Sequence, residues 1–301
     1  MATIRREQLA AVNINYRMYP FQDFLDTQRE LGMKTIELWA GAPHFLMDYQ
    51  QRPDCAALRA EIESRELRVA ALTPESALYQ FPVAAYNEEV QKLAIPYYTN
   101  ALKSAQELGA AVMPINCAGG LKTEDPEAVF QRAVDTLKKL APIAQELGVV
   151  IAVETMPSAD SVIINTLPQL QKLLTAVDHP FVKATLDVCA VRCAGETLEQ
   201  WFQALGEKIV HIHFTDGRPG GRLVWGQGLH PLDTYLETLE KYGYKGCLGL
   251  NTNLRGMWFD SSLLDEEGRF SGRDFYPENY WFYPPAADRK NLEQFIPYLE
   301  D

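Results

Sequence analysis

The chain has 301 residues, of which 47% are hydrophobic and 23% charged, values that are ordinary for a soluble globular protein. Its 40 acidic residues outnumber its 28 basic residues and give a formal net charge of −12, which argues against a nucleic-acid-binding protein. A polar N-terminus, five scattered cysteines and the lack of any apolar run near 18 residues predict a cytoplasmic protein that does not contact a membrane.

Short apolar segments alternate along the whole chain with longer amphipathic segments. Apolar, β-branched segments of this length are typical of strands buried on both faces. The predicted strands are 11–16, 35–40, 68–73, 111–116, 149–154, 183–188, 209–214 and 246–251. Amphipathic segments predict helices at 21–31, 54–66, 87–108, 126–147, 167–177, 196–205, 231–242 and 287–299.

Eight strand–helix units in this length predict an α/β protein with a (β/α)8 TIM barrel. A doubly wound sheet is the rival fold, but the chain has neither a GxGxxG nor a GxxxxGK[ST] motif. We therefore expect a single domain over 1–301. The irregular part is 252–285, an aromatic and proline-rich insertion after the eighth strand, expected over the catalytic face as a lid or as a subunit contact.

Polar residues end four consecutive predicted strands, where the catalytic groups of such a barrel lie. They are Glu154, Asp187, His213 and Asn251. Two carboxylates, an imidazole and an amide oxygen suit Mn²⁺, Co²⁺ or Mg²⁺ better than a thiolate-seeking metal. The sequence pattern alone is equally compatible with four ordinary polar strand ends.

Several motifs, in this order and at these strand ends, resemble a known family. They are IELWAGAPH (36–44), LTPES (72–76), VETMPSADS (153–161), LDVCA (186–190), HIHFTDG (211–217) and GQGLHP (226–231). The chain resembles the sugar isomerase/epimerase barrels of the xylose-isomerase-like superfamily, in particular the tagatose/psicose 3-epimerase and fructoselysine 3-epimerase group. The resemblance covers nearly the whole chain except 252–285.

The resemblance implies one divalent metal ion, bound by Glu154, Asp187, His213 and the fourth position, which is Asn251 here and a glutamate in the family. In the family the two glutamates exchange a proton on opposite faces of the substrate carbon. Only Glu154 remains of that pair. The reaction then needs one base, or an acid from the insertion such as Asp260 or Asp265 replaces the second, or the protein binds a sugar without turning it over.

Five further residues are candidates for substrate binding. Asp160 matches a family glutamate that contacts a sugar hydroxyl, His44 and Glu75 follow the second and third strands, His211 shares a strand face with His213, and Trp258 lies in the insertion. Each has a structural alternative, as a helix cap, a surface-loop residue, a core histidine or a subunit contact.

The predicted function is a metal-dependent isomerase or epimerase that acts on a keto-sugar or sugar conjugate through a cis-enediolate, with Glu154 as catalytic base. Mn²⁺ is the expected ion, with Co²⁺ and Mg²⁺ as alternatives. We expect a small sugar as substrate and a homo-oligomer, either a dimer or a tetramer. The alternatives are a one-base lyase acting on a keto-glycoside and a sugar-binding barrel with impaired catalysis.

Overall fold

The predicted barrel is confirmed by a computed structural model, which describes residues 3–76, 81–117, 119–158, 160–218, 222–252 and 284–300. Eight parallel strands form a closed barrel in chain order, and the last strand pairs with the first through Leu9 and Leu248. Closure of a parallel sheet places every strand's carboxyl end at the same mouth, so residues that end different strands meet there.

The strands are β1 (Leu9–Val12), β2 (Thr35–Ala40), β3 (Arg68–Pro74), β4 (Val112–Asn116), β5 (Val150–Glu154), β6 (Val182–Asp187), β7 (Ile209–His213) and β8 (Cys247–Leu250). The helices are α1 (Phe21–Glu30), α2 (Cys55–Glu63), α3 (Glu88–Leu108), α4 (Pro126–Leu147), α5 (Leu167–Val177), α6 (Val188–Cys193), α7 (Leu198–Leu205), α8 (Leu232–Lys241) and α9 (Pro284–Phe295).

Helix α4 illustrates how local sequence sets these bounds. The Asp125 side chain accepts a hydrogen bond from the Glu127 backbone N–H, Pro126 fills the first helical turn, and Gly148 ends the helix at a φ of 68°. A side-chain cap of this kind contributes about 1 kcal/mol. Between these ends, Ala133, Leu137 and other apolar residues at helical spacing are buried against the barrel.

The first strand begins and ends earlier than predicted. Its ladder with β2 stops at Val12, because the side chain of Asn13 takes over the next pairing. The Trp39 N–H donates to Asn13 Oδ1 at 2.7 Å, and Asn13 Nδ2 donates to the Trp39 carbonyl at 3.1 Å. Residues Asn13–Tyr16 then form a 3-10 turn rather than strand.

The short helix α6 is a further element that the sequence pattern does not reveal. It begins directly after the last residue of β6, with no loop between strand and helix. At the carboxyl end of the chain, the 3-10 turn Ile296–Tyr298 replaces the final turn of the predicted last helix.

The segment 252–285, predicted to lie over the catalytic face, falls almost wholly outside the described residues. Trp258 also falls outside them. Of that segment the structure describes Thr252 and the start of α9. Among the described residues, no helix combines the length and the apolarity that crossing a membrane requires.

Candidate metal centre and active site

Three strand-end residues meet at the mouth of the barrel. Glu154 ends β5, Asp187 ends β6 and His213 ends β7, and each offers one ligand atom within 4.8 Å of the other two. His213 Nδ1 lies 2.8 Å from Glu154 Oε1 and 3.8 Å from Asp187 Oδ2. All three side chains are buried. We call these three residues the upper cluster.

The two carboxylate oxygens of Asp187 have different partners. Oδ1 accepts the backbone N–H groups of Cys189 and Ala190 at 2.8 and 2.9 Å, so it caps the first turn of α6. This capping fixes the side-chain rotamer and leaves Oδ2 facing the upper cluster. The immediate strand-to-helix junction therefore explains why Asp187 is held rigidly.

A half-buried guanidinium completes the charge arrangement. One nitrogen of Arg222, Nη2, lies 2.9 Å from Glu154 Oε1 and 2.7 Å from Asp187 Oδ2. The next residue, Leu223, forms an antiparallel bridge with Asp216, which anchors Arg222 beside the end of β7. Sequence reasoning missed Arg222, although a cationic residue in a glycine-rich loop at the catalytic end of the barrel was a usable signal.

The loop after Arg222 is held by Asp216. Its Oδ2 accepts the backbone N–H groups of Gly226 and Gly228, at 3.0 and 2.7 Å, and its Oδ1 accepts that of His230 at 3.0 Å. A Cβ at Gly228 would lie 2.1 Å from Asp216 Oδ1, so glycine is required at that point. The two glycines of the GQGLHP motif (226–231) thus have a structural role, because they hold the loop that carries Arg222.

A second group of charged side chains lies directly beneath the first and shares His213. Glu37 Oε1 accepts from His213 Nε2 at 3.1 Å and from Thr73 Oγ1 at 2.6 Å, while Glu37 Oε2 accepts from His211 Nε2 at 2.9 Å. Glu37 and His211 have no exposed surface. We call Glu37, His211 and His213 the lower cluster. An acidic residue inside the apolar strand IELW was the sequence signal for it, because a buried charge requires partners.

The charges of the two clusters shift one another's pKa values. Burial alone would raise the pKa of Glu154, but the positive charges of His213 and Arg222 outweigh burial and lower it to about 2. Burial would lower the pKa of His213, but Glu154 and Glu37 on either side raise it to about 10. Burial raises the pKa of Asp187. Glu154 is therefore a carboxylate at neutral pH, able to accept a proton.

The fourth candidate ligand, Asn251, follows β8 directly and is buried. Within the described part of the chain, its Oδ1 has no hydrogen-bond partner. A buried amide oxygen without a donor is costly, and a cation would satisfy it. Two carboxylates, one imidazole and one orphaned amide oxygen are the donor chemistry of Mn²⁺, Co²⁺ or Mg²⁺, so the residues present fit such an ion.

The remaining candidates occupy different environments. His44 is half-buried, and both ring nitrogens are used within the protein, Nδ1 by Asn13 Nδ2 at 3.1 Å and Nε2 by the Tyr19 carbonyl at 2.9 Å. Glu75 is half-buried and accepts from Trp39 Nε1 at 3.0 Å. Asp160 is exposed. Substrate contact by these residues stays a prediction. The same holds for His211, which the structure places beneath the upper cluster.

A family model described as "xylose isomerase-like TIM barrel" matches residues 25–270. The chain belongs to this family. Among its relatives is fructoselysine 3-epimerase of Escherichia coli O157:H7, 22% identical over 233 residues that cover 77% of this chain and 85% of the relative. The prediction of an isomerase or epimerase is confirmed at that level of detail.

Solved structures of this xylose isomerase-like fold superpose along almost the full chain. D-psicose 3-epimerase from Clostridium cellulolyticum H10, solved with D-tagatose, gives a TM-score of 0.72 at 19% identity and covers 98% of this chain and 100% of its own. The 3-keto-D-glucoside 4-epimerase from E. coli gives 0.73 at 16% identity, with coverage of 96% and 98%. At these identities the likeness establishes the fold alone.

Proposed function

We propose that this protein is an isomerase or epimerase of a keto-sugar or sugar conjugate that depends on one divalent metal ion, with Mn²⁺ expected. Glu154, Asp187 and His213 would hold the ion, and Asn251 would be a weaker fourth ligand. The observation that carries the proposal is the convergence of three buried ligand atoms within 4.8 Å of one another at the barrel mouth. The names of the relatives, which are sugar epimerases, support the substrate class.

When bound, a divalent ion at this position supplies Lewis-acid stabilisation of the negative charge that develops on the sugar oxygens. The rest of the chemistry belongs to side chains of the chain. Glu154 is ionised at neutral pH and removes the proton from the carbon next to the sugar carbonyl, leaving a cis-enediolate. Arg222, held 2.9 Å from Glu154, keeps that carboxylate in the ionised form and oriented for proton transfer.

The return of the proton is where this chain differs from a two-base epimerase. Asn251 carries an amide, which neither takes up nor releases a proton at neutral pH. Among the described residues, the carboxylates of the upper cluster are Glu154 and Asp187, and Asp187 Oδ1 is committed to capping α6. Glu154 is therefore the proposed proton carrier. Removal of the proton from one carbon and its return to the adjacent carbon on the same face, which is an isomerisation, is the reaction that these residues support best.

The test is an incubation of ketohexoses, their phosphates, Amadori-type conjugates and 3-keto-glycosides with Mn²⁺-loaded protein in deuterated water. We expect deuterium at a carbon adjacent to a carbonyl of at least one substrate, and its position identifies the reacting carbon. Glu154→Gln should slow this exchange about 10²–10⁴-fold, as expected for loss of a general base.

Asp288→Asn is the matched control, because it makes the same acid-to-amide change at a carboxylate bonded to Tyr16 and Gln28 rather than to the upper cluster. It should exchange deuterium at the wild-type rate. Elimination of an aglycone from a keto-glycoside would instead indicate the one-base lyase. Binding of a sugar without exchange or elimination would indicate a sugar-binding barrel and overturn the proposed catalysis.

A further inference from the structure

Glu37 of the lower cluster lies in a position to orient His213, the residue that the two clusters share. Its carboxylate, Glu37, is fully buried, and each of its oxygens accepts at least one hydrogen bond: Oε1 from His213 and Thr73, Oε2 from His211. With its acceptor capacity used inside the protein and no exposed surface, Glu37 is suited to holding its neighbours in place.

The contact between Glu37 and His213 fixes which ring nitrogen of His213 faces the barrel mouth. An ionised carboxylate only accepts hydrogen bonds, so Nε2 of His213 must carry a hydrogen and donate it to Glu37 Oε1. The other nitrogen, Nδ1, then faces Glu154 and Asp187 at 2.8 and 3.8 Å. By the same rule Nδ1 carries a hydrogen that it donates to Glu154 Oε1, and a bound ion would replace that hydrogen. Glu37 therefore sets the rotation of the ring and keeps the hydrogen on Nε2, so that Nδ1 is the nitrogen that would bind the ion.

Strand β8 leaves space for the Glu37 carboxylate because it has a glycine, Gly249, at the point of contact. A Cβ at Gly249 of β8 would lie 2.2 Å from Glu37 Oε2 and 3.1 Å from His211 Nε2, so any larger residue would displace the acid. His211 holds Glu37 Oε2 from the same strand as His213, two residues earlier. Four strands thus contribute to one arrangement: β2 supplies the acid, β3 the hydroxyl of Thr73, β7 both histidines and β8 the space.

We infer that Glu37 is a positioning residue that orients His213 for a divalent ion through its Nε2 hydrogen bond, with His211 and Gly249 holding Glu37 in place. This inference rests on the metal centre in the proposed function. A carboxylate behind a ligating histidine fixes its orientation and raises its basicity, and loss of such a partner typically costs 10–100-fold in metal affinity.

The test compares Mn²⁺ binding by titration calorimetry in wild type, Glu37→Gln and the matched acid-to-amide control Asp288→Asn, with thermal unfolding of each. We expect Glu37→Gln to bind Mn²⁺ about 10–100-fold more weakly than wild type and the control to be unchanged. Activity of Glu37→Gln should be low at limiting Mn²⁺ and return at saturating Mn²⁺. A residue that only supported the fold would show no such rescue by metal.

Glu37→Asp keeps the negative charge, but its shorter side chain withdraws the carboxylate from His213. This variant replaces Glu37→Gln in the test if Glu37→Gln does not fold. We expect it to bind Mn²⁺ at least about fivefold more weakly than wild type, below the loss expected of the amide. Wild-type affinity in a folded Glu37 variant would overturn the inference alone. Absence of Mn²⁺ binding by wild type would overturn the proposed function and this inference with it.

Discussion

The upper and lower clusters contain similar side chains, share His213 and differ in what they leave unsatisfied. In the lower cluster Glu37 accepts from three donors and has no exposed surface, and the atom without a hydrogen-bond partner among the described residues is Nδ1 of His211. In the upper cluster two carboxylates converge on one guanidinium, and the amide oxygen of Asn251, which follows β8, has no donor among the described residues. A carboxylate whose two oxygens are both bonded supports structure, whereas carboxylates that converge at the barrel mouth are suited to bind a cation.

The largest effect is expected at the position that distinguishes this chain from two-base epimerases. Asn251→Glu would restore a carboxylate able to transfer a proton on the opposite face of the substrate. We expect wild type to epimerise ketohexoses at C3 poorly and Asn251→Glu to raise that rate about 10²–10⁴-fold. Chromatography of the epimeric products measures it. Brisk epimerisation by wild type would mean that a group within 252–285 supplies the second acid.

The second effect concerns the charge of the upper cluster. Asp187→Asn keeps an oxygen to cap α6 but removes a negative charge facing the proposed ion. Breaking a buried charge pair costs about 3–5 kcal/mol, so Mn²⁺ affinity should fall about 10²–10⁴-fold. Metal analysis after dialysis measures the loss. If metal content and activity both stay at wild-type levels, the ligand assignment is wrong.

A third, smaller effect is expected from Arg222, whose Nη2 contacts Glu154 Oε1 and Asp187 Oδ2, the oxygens that the ion needs. Arg222→Met removes a positive charge that competes with the ion. Mn²⁺ affinity should rise about tenfold, equivalent to about 1.4 kcal/mol, while catalysis falls. Calorimetric titration measures the affinity, and a weaker Mn²⁺ affinity in Arg222→Met would show that the guanidinium supports metal binding instead.

The fourth prediction concerns a half-buried acid that belongs to neither cluster and whose substitution should leave metal affinity unchanged. Asp288 accepts from Tyr16 and Gln28, at 2.7 and 2.6 Å, and burial raises its pKa to about 6 despite these neutral donors. Glu37, beside two histidines, shows the opposite shift. The comparison shows that charged partners, and not burial alone, decide the ionisation of an acid in this fold.

The consequence for stability follows from the direction of that shift. Because folded Asp288 binds its proton more tightly than the unfolded chain, its contribution is present below about pH 4 and is lost as the pH rises through about 6. Asp288→Asn should match wild type near pH 4 and exceed it by up to about 3 kcal/mol at pH 7. Urea unfolding at both pH values measures this, and a pH-independent difference would contradict it.

The sequence was sufficient for the barrel and for the residues of the upper cluster, because strand periodicity and strand-end position are local signals. Asn13 and Arg222 show that contacts between distant residues could not be predicted from the sequence pattern. Asn13 ends β1 by pairing with Trp39, which is 26 residues away, so the strand boundary depends on a tertiary contact. Arg222 reaches Glu154 across 68 residues through a loop whose position depends on the bridge between Asp216 and Leu223.

Glu37 is the intermediate case. A charged residue within an apolar strand is a signal that a buried partner exists, but the identity of that partner depends on the register of β2 with β3 and on the distance across the barrel to β7. Pattern analysis could therefore flag Glu37 as unusual and could not connect it to His213.

The location of the metal ion tests the central claim most directly. Anomalous diffraction from crystals of the Mn²⁺-loaded protein should show one peak, within ligand distance of Glu154, Asp187 and His213 Nδ1, with Nε2 of His213 still bonded to Glu37. A peak between Glu37, His211 and His213, or no peak at the upper cluster at saturating Mn²⁺, would contradict the account.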